Sequence, residues 1–341
     1  MHHSTGEAIL VPTFYDYLWA AIGFGVPALL LAAVVVLAIR STRGRPEDLS
    51  RAAVAARRHA VVVHVAAWVA AVACLPLLGY GVVPGVHDAM RAYADAVGGS
   101  SFLAGGVIVG LTPAGIGLAF LLVHAMGELT WPRPRGTVRR ATLRPRRVAD
   151  VAPRGARRTA WAWAGLLAVT LVLCGVAADA DGRAITRALP AGSATHSPFP
   201  GWFYGIPLLV AAALVLLGQE GVLRLVARRP AVSDAAVEWD LGLRQLSAHR
   251  VLRGTQLVLG ATAGAVLVVA GMSTHGVGRG LTEGTVGATG SGSTGHVVVG
   301  WALIVLGLAA LVVAVVLALR QGGAVEAPPS ARDDALARTA R

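Results

Sequence analysis

Seven stretches of this chain run for the length of a membrane span without an internal Asp, Glu or Arg: 17–39, 60–83, 103–126, 161–178, 201–219, 255–272 and 297–319. A helix crosses the hydrocarbon of a bilayer with about 20 predominantly apolar residues, because each adds about 1.5 Å along the axis. In lipid every backbone N–H and C=O must be satisfied internally, so only α-helices and closed β-barrels can span. The short alternating segments of a barrel are absent. The expected fold is an all-α, polytopic membrane helix bundle of seven transmembrane helices, multi-pass in the lipid bilayer. Composition agrees: 55% of the 341 residues are hydrophobic, 14% are charged and the mean hydropathy is +0.64.

The basic residues orient the bundle. All 30 are Arg, and 26 of them fall in the segments 40–59, 127–160, 220–254 and 320–341. Only 4 fall in 1–16, 84–102, 179–200 and 273–296 on the opposite side. Basic residues near span ends stay cytoplasmic, which predicts the N-terminus out and the C-terminus in, in the plasma membrane of a bacterium. Attraction to anionic lipid headgroups at the cytoplasmic Arg clusters explains the net charge of +12. Nucleic-acid binding is excluded, since the Arg residues hug span ends and no recognition motif accompanies them. Aromatic clusters fit the same threading as headgroup-level anchors: Phe14, Tyr15, Tyr17 and Trp19; Phe199, Trp202, Phe203 and Tyr204; and Trp161 with Trp163.

The organisation expected is an outer segment 1–16, a bundle over 17–319 and a disordered tail 320–341. Segment 1–16 lacks the basic start of a cleavable leader. After the first span the chain reads as three in–out–in hairpins with basic entries, a pattern that the positive-inside rule produces without an internal repeat. Two cytoplasmic segments stand out. The strap 127–160 is an irregular, lipid-hugging run, because Pro132, Pro134, Pro145 and Pro153 break helices. Residues 232–250 read as a separate amphipathic helix before the sixth span, capped by Ser233 or Asp234. There Val232, Ala236, Trp239, Leu243 and Leu246 recur at spacings of four and three, with Asp240 and Arg244 as an i,i+4 pair on another face. The helix lies on the inner membrane surface or packs against the other cytoplasmic segments. The loop 273–296 is Gly/Ser/Thr-rich and expected to be flexible. Cys74 and Cys174 fall within spans and read as small apolar core residues rather than a disulfide pair.

Several runs are distinctive: GELTWPRPRGTVRRATLRPR at 127–146, DGRAITR at 181–187, PFPGWFYG at 198–205 and SAHRVLRGT at 247–255. Together they make the chain resemble a family of multi-pass integral membrane proteins of GC-rich actinobacteria. The resemblance covers most of the chain and implies topology and localisation, with no activity attached.

Candidate sites follow from residue chemistry. His64 and His124 sit about one turn inside the cytoplasmic ends of adjacent antiparallel spans, so their depths match. Such a pair can ligate a haem b iron or reach headgroups and loop carbonyls without a cofactor. His124 and Glu128 are i,i+4, too few ligands for a metal centre by themselves. An amino terminus with His3 at the third position has the square-planar geometry that copper(II) favours. Gly106 with Gly110, and Gly260 with Gly264, are helix-packing signatures, since small residues let backbones approach. Pro113 with Gly115 and Gly117, and Pro27 with Gly23 and Gly25, suit either packing or the interrupted helices of transporters. Glu220 and Arg224 read as a structural i,i+4 pair. No P-loop, zincin motif or nucleophile elbow is present, so no catalytic residue is assigned. The reading is a non-enzymatic small-molecule binding or permease-like module, or a scaffold for copies of itself or another membrane subunit. The alternative is a haem- or copper-binding membrane protein.

Overall fold

A computed structural model describes residues 50–79, 101–132, 147–190, 192–232, 235–280 and 292–319. The first expected span, segment 1–16 with His3, the middle of the strap, Ser233, Asp234 and the tail lie outside them. The elements are α1 (Arg51–Gly79), α2 (Ser101–Leu129), the single turn α3 (Val148–Val151), α4 (Arg154–Ala177), β1 (Ile185–Leu189), β2 (Gly192–His196), α5 (Trp202–Arg228), α6 (Val237–Gly278) and α7 (Thr294–Leu319). Six of these helices are long and apolar enough to cross a membrane, so the chain is a multi-pass membrane helix bundle. They alternate in direction and gather the ends of α1, α2, α4, α5 and α6 that border the Arg-rich segments at one end of the bundle.

The sixth span and the expected surface helix are one element. Residues 232–250 do not form a helix of their own; α6 runs unbroken for 42 residues from Val237, with Ala236 at its N-cap position. At 1.5 Å per residue it is about 63 Å long, roughly twice the hydrocarbon thickness. Its first turns therefore project from the apolar zone along the helix axis instead of lying on the membrane surface. Trp239 and Leu243 are buried there against Ala53, Ala56 and Ala60 of α1 and against Trp131.

α6 is the axis of the fold, touching every other described helix and both strands. Against α7 it presents Gly264, Gly271 and Gly278, spaced seven apart, opposite Gly300, Gly307 and Ala314 at the same spacing. A methyl on Gly264 would sit 2.8 Å from the Gly307 carbonyl oxygen, and one on Gly271 2.7 Å from that of Gly300. The backbones touch, and a seven-residue repeat keeps such a seam in register over several turns. Gly260 faces Ala314 and the Trp163 ring. Gly106 and Gly110 do a different job, receiving the Tyr204 and Leu208 side chains of α5.

Other local expectations change once neighbours are in place. The described parts of the strap are largely helical: it opens as the last turn of α2 and closes as α3 and the start of α4. The 273–296 segment begins as helix, since α6 continues to Gly278, and it ends as α7. Phe199, Phe203 and Tyr204 are buried in the protein while Trp202 is exposed, and Trp163 is core while Trp161 is half exposed. Residues two apart on a helix point to opposite sides, which separates the two tryptophans.

At the opposite end, β1 and β2 form an antiparallel hairpin in which Ile185 pairs with His196 and Thr186 with Thr195. The Thr186 hydroxyl donates to Asp179 (2.6 Å), and the Arg183 guanidinium lies 4.7 Å over the Phe203 ring. The Ser273 hydroxyl of α6 donates to the Pro198 carbonyl. The DGRAITR and PFPGWFYG runs thus fold into a cap over the ends of α4, α5 and α6.

Candidate functional site at the arginine-rich end

Polar side chains at this end are buried in two tiers. The outer tier forms where α5 stops. A helix leaves its last carbonyls without intrahelical donors. Here the Arg244 guanidinium takes them, donating from Nη1 to Val226 O (2.9 Å) and Ala227 O (3.1 Å), and from Nη2 to Arg229 O (2.8 Å) and Pro230 O (3.3 Å). Nε donates to Asp240 at 2.8 Å. All five donors of the planar fork therefore have acceptors. The i,i+4 pair expected from the sequence is present, with Arg244 fully buried and Asp240 nearly so.

Arg229 follows, just beyond α5. Its guanidinium stacks 3.8 Å from the Trp131 ring, and Nη1 donates to Glu128 (3.4 Å) and to Ser247 (3.3 Å). Burial pushes this arginine down to about 10, with the Glu128 charge opposing, so it stays protonated at neutral pH. Its Nε and Nη2 are buried without acceptors. The His59 ring packs edge-on to Trp131 at 5.3 Å and donates from Nε2 to Gly127 O at 2.8 Å. Glu220 does not pair with Arg224. It accepts a bidentate pair of hydrogen bonds from Arg157 of α4, at 2.8 and 2.9 Å.

The inner tier is a corner between α1, α2 and α6. His64 and His124 meet there with ring centroids 5.7 Å apart and planes tilted by 46°. Phe120 lies against His124 (4.6 Å) and, with Trp68 at 5.3 Å from it, closes the corner toward the bundle interior. α2 and α6 meet tightly below, where Gly117 faces Val258 and Gly254 faces Phe120. α1 and α6, by contrast, barely touch. Arg250 reaches across from α6, and its Nη1 donates to the Ala60 carbonyl of α1 at 3.1 Å. Arg250 and Arg253 are both in electrostatic reach of His64, and Arg57 is in reach of Arg250.

Arg157, Arg229 and Arg244 each have a carboxylate partner. Among the described residues Arg250 and Arg253 have none. Buried nitrogens without partners collect here: Nε and Nη2 of Arg253, Nε2 of His249, Nδ1 of His64 and Nε2 of His124, the last on a residue only 3% exposed. Buried polar atoms without partners and unpaired charge are each costly.

The geometry also tests the cofactor expectations. A haem would slide its porphyrin between the two imidazoles, but Phe120 and Trp68 pack directly on them. α1 and α2 approach so closely at Gly127 that a methyl there would overlap Val63. The corner does not fit a haem. Nor do three or more His, Cys, Asp or Glu side chains gather to hold a metal among the described residues. Cys74 and Cys174 are free thiols.

Sequence reasoning brought His64 and His124 together by depth but left Arg250 and Arg253 as generic basic flanks. The missed signal is positional. Arg57 and His64 are seven apart on one face of α1, and Arg250 and Arg253 are three apart on one face of α6. No known protein family, characterised protein or solved structure matches this chain.

Proposed function

We propose that this chain is a non-enzymatic binding module of a membrane, with its ligand site in the α1–α2–α6 corner at the arginine-rich end. The observation behind the reading is the unmatched set of buried donors around Arg250, Arg253, His64 and His124, beside three other arginines that are each paired. A permease-like cycle has less support. α2 runs unbroken through Pro113, although interrupted helices are what transporters use to build mid-membrane sites. The motif resemblance to actinobacterial multi-pass proteins and the Arg distribution support a bacterial plasma membrane with this end in the cytoplasm. A phosphatase reporter fused after Arg341 is expected to be inactive, and activity there would overturn that orientation.

A scaffold role is the second reading. α7 packs mainly on α6 and turns Val298, Trp301, Val305, Val312 and Val316 outward, a face that lipid or another subunit covers equally well. Purification of the full chain separates the two. A binding module is recovered alone and its thermal midpoint rises with added ligand. A stoichiometric membrane partner, with no ligand response, would reverse the order.

A further inference from the structure

Resting on the binding-module reading, we infer that the corner takes a phosphate-bearing anion, held by Arg250 and Arg253 with His64, His124 and His249 around it. Two guanidiniums that both act on His64 add positive charge to one low-dielectric corner, and an anion there lowers that cost. Among the described residues, carboxylates lie against Arg157, Arg229 and Arg244 and none against these two.

Donor geometry selects the class of anion. The partnerless nitrogens come from three helices: two from Arg253, with His249 beside it on α6, His64 on α1 and His124 on α2. A carboxylate offers two oxygens in one plane and cannot address donors on three sides. A tetrahedral phosphate offers three or four oxygens in different directions, and arginine forks match its edges. Neutral imidazoles supply one N–H each without adding charge.

Trp68 and Phe120 pack on one side of the two histidines, and backbone contact between α1 and α6 beside them is sparse. These polar side chains border the Arg-rich segments of the chain. A phospholipid phosphate entering from the side and a soluble phosphate entering from the end present the same chemistry to the same donors.

The test uses the full chain in detergent and three variants: Arg253→Gln, Arg250→Lys as a second variant that keeps the reach to Ala60, and Arg224→Gln at an exposed site as control. In the lipid arm, native mass spectrometry follows phospholipid retained through delipidation from membranes of phosphatidylcholine and phosphatidylglycerol. In the soluble arm, inorganic phosphate is titrated into the delipidated protein and the thermal midpoint is read. Retention or phosphate affinity is expected to fall about ten- to hundredfold in Arg253→Gln, the loss of a charged hydrogen-bonded contact, and to be unchanged in Arg224→Gln. The arm that responds identifies the source. Equal behaviour of Arg253→Gln and Arg224→Gln in both arms, with folded protein by circular dichroism, would overturn the inference. If citrate raises the midpoint of the wild type while neither phosphate source does, the anion class is wrong and the binding-module reading stands. If no anion responds and a stoichiometric subunit co-purifies, the binding-module reading itself fails.

Discussion

The two flanks of α6 handle burial by different chemistry. Facing α7, Gly264, Gly271 and Gly278 remove side chains altogether, and the stabilisation comes from backbone contact and dispersion. Facing α1 and the end of α5, the same helix carries Asp240, Arg244, Arg250 and Arg253, and stability depends on whether each charge finds a partner. The first flank tolerates no added volume, and the second tolerates no lost acceptor. A glycine seam is indifferent to solution conditions, whereas a charged flank can respond to a ligand. The candidate site therefore lies on the charged side.

The sharpest way to break that contrast is Arg244→Met. It removes the guanidinium partner of Asp240 and frees four carbonyls at the α5 terminus, and removal of one partner of a buried pair costs about 3–5 kcal/mol. A correspondingly lower denaturation midpoint in detergent is expected. Arg244→Lys should recover only part of it, because an ammonium cannot reproduce the planar fork. A wild-type midpoint in Arg244→Met would show that the α5 carbonyls find other donors.

Glu128→Gln comes next, at about 3 kcal/mol, since Arg229 then remains buried with only Trp131 and Ser247. The same unfolding measurement applies. A loss no greater than that of an exposed residue would place Arg229 in contact with water. On the glycine flank, Gly264→Leu drives a side chain into Leu311 and the Gly307 carbonyl and should cost about 1–3 kcal/mol. Limited proteolysis should then cut near α7 first. If cleavage begins in α1 instead, the seam is not what holds α7. The smallest effect is expected for Arg157→Gln. Its bidentate contact to Glu220 is partly exposed, so the loss should be no more than about 1 kcal/mol. A larger loss would move this pair into the same class as Arg244 and Asp240.

Much of the architecture could be read along the chain. Charge-free length is a one-dimensional property: the expected spans 103–126, 255–272 and 297–319 lie wholly within helices, and 161–178 and 201–219 each miss theirs by one residue. The hairpin at 185–196 escaped notice although its signals are present. Ile185, Thr186 and Thr195 are β-branched and Gly192 adopts a positive φ of 143° near the turn. The run is short and sits among span-length helices, so its alternation carried little weight. The amphipathic period over 236–246 was legible, but its continuity with the sixth span was not. Arg250 and Arg253 look like a membrane boundary in sequence, yet no proline interrupts the backbone between Val237 and Gly278, and hydrogen bonding along a helix continues regardless of side-chain charge.

By itself, then, the sequence determined that this chain is a helical multi-pass membrane protein, roughly where its spans lie and which ends of them carry arginine. Those follow from the cost of putting backbone and charge into hydrocarbon, a cost counted residue by residue. Only the tertiary structure decided which arginines are neutralised. Asp240 and Arg244, Glu128 and Arg229, and Glu220 and Arg157 pair because α2, α4, α5 and α6 end beside one another, and Arg250 and Arg253 go without because α1 brings histidines and a carbonyl to that face. Whether a buried charge is stabilising or waiting for a ligand depends on the few ångströms around it, and separation in space is not written in separation along the chain.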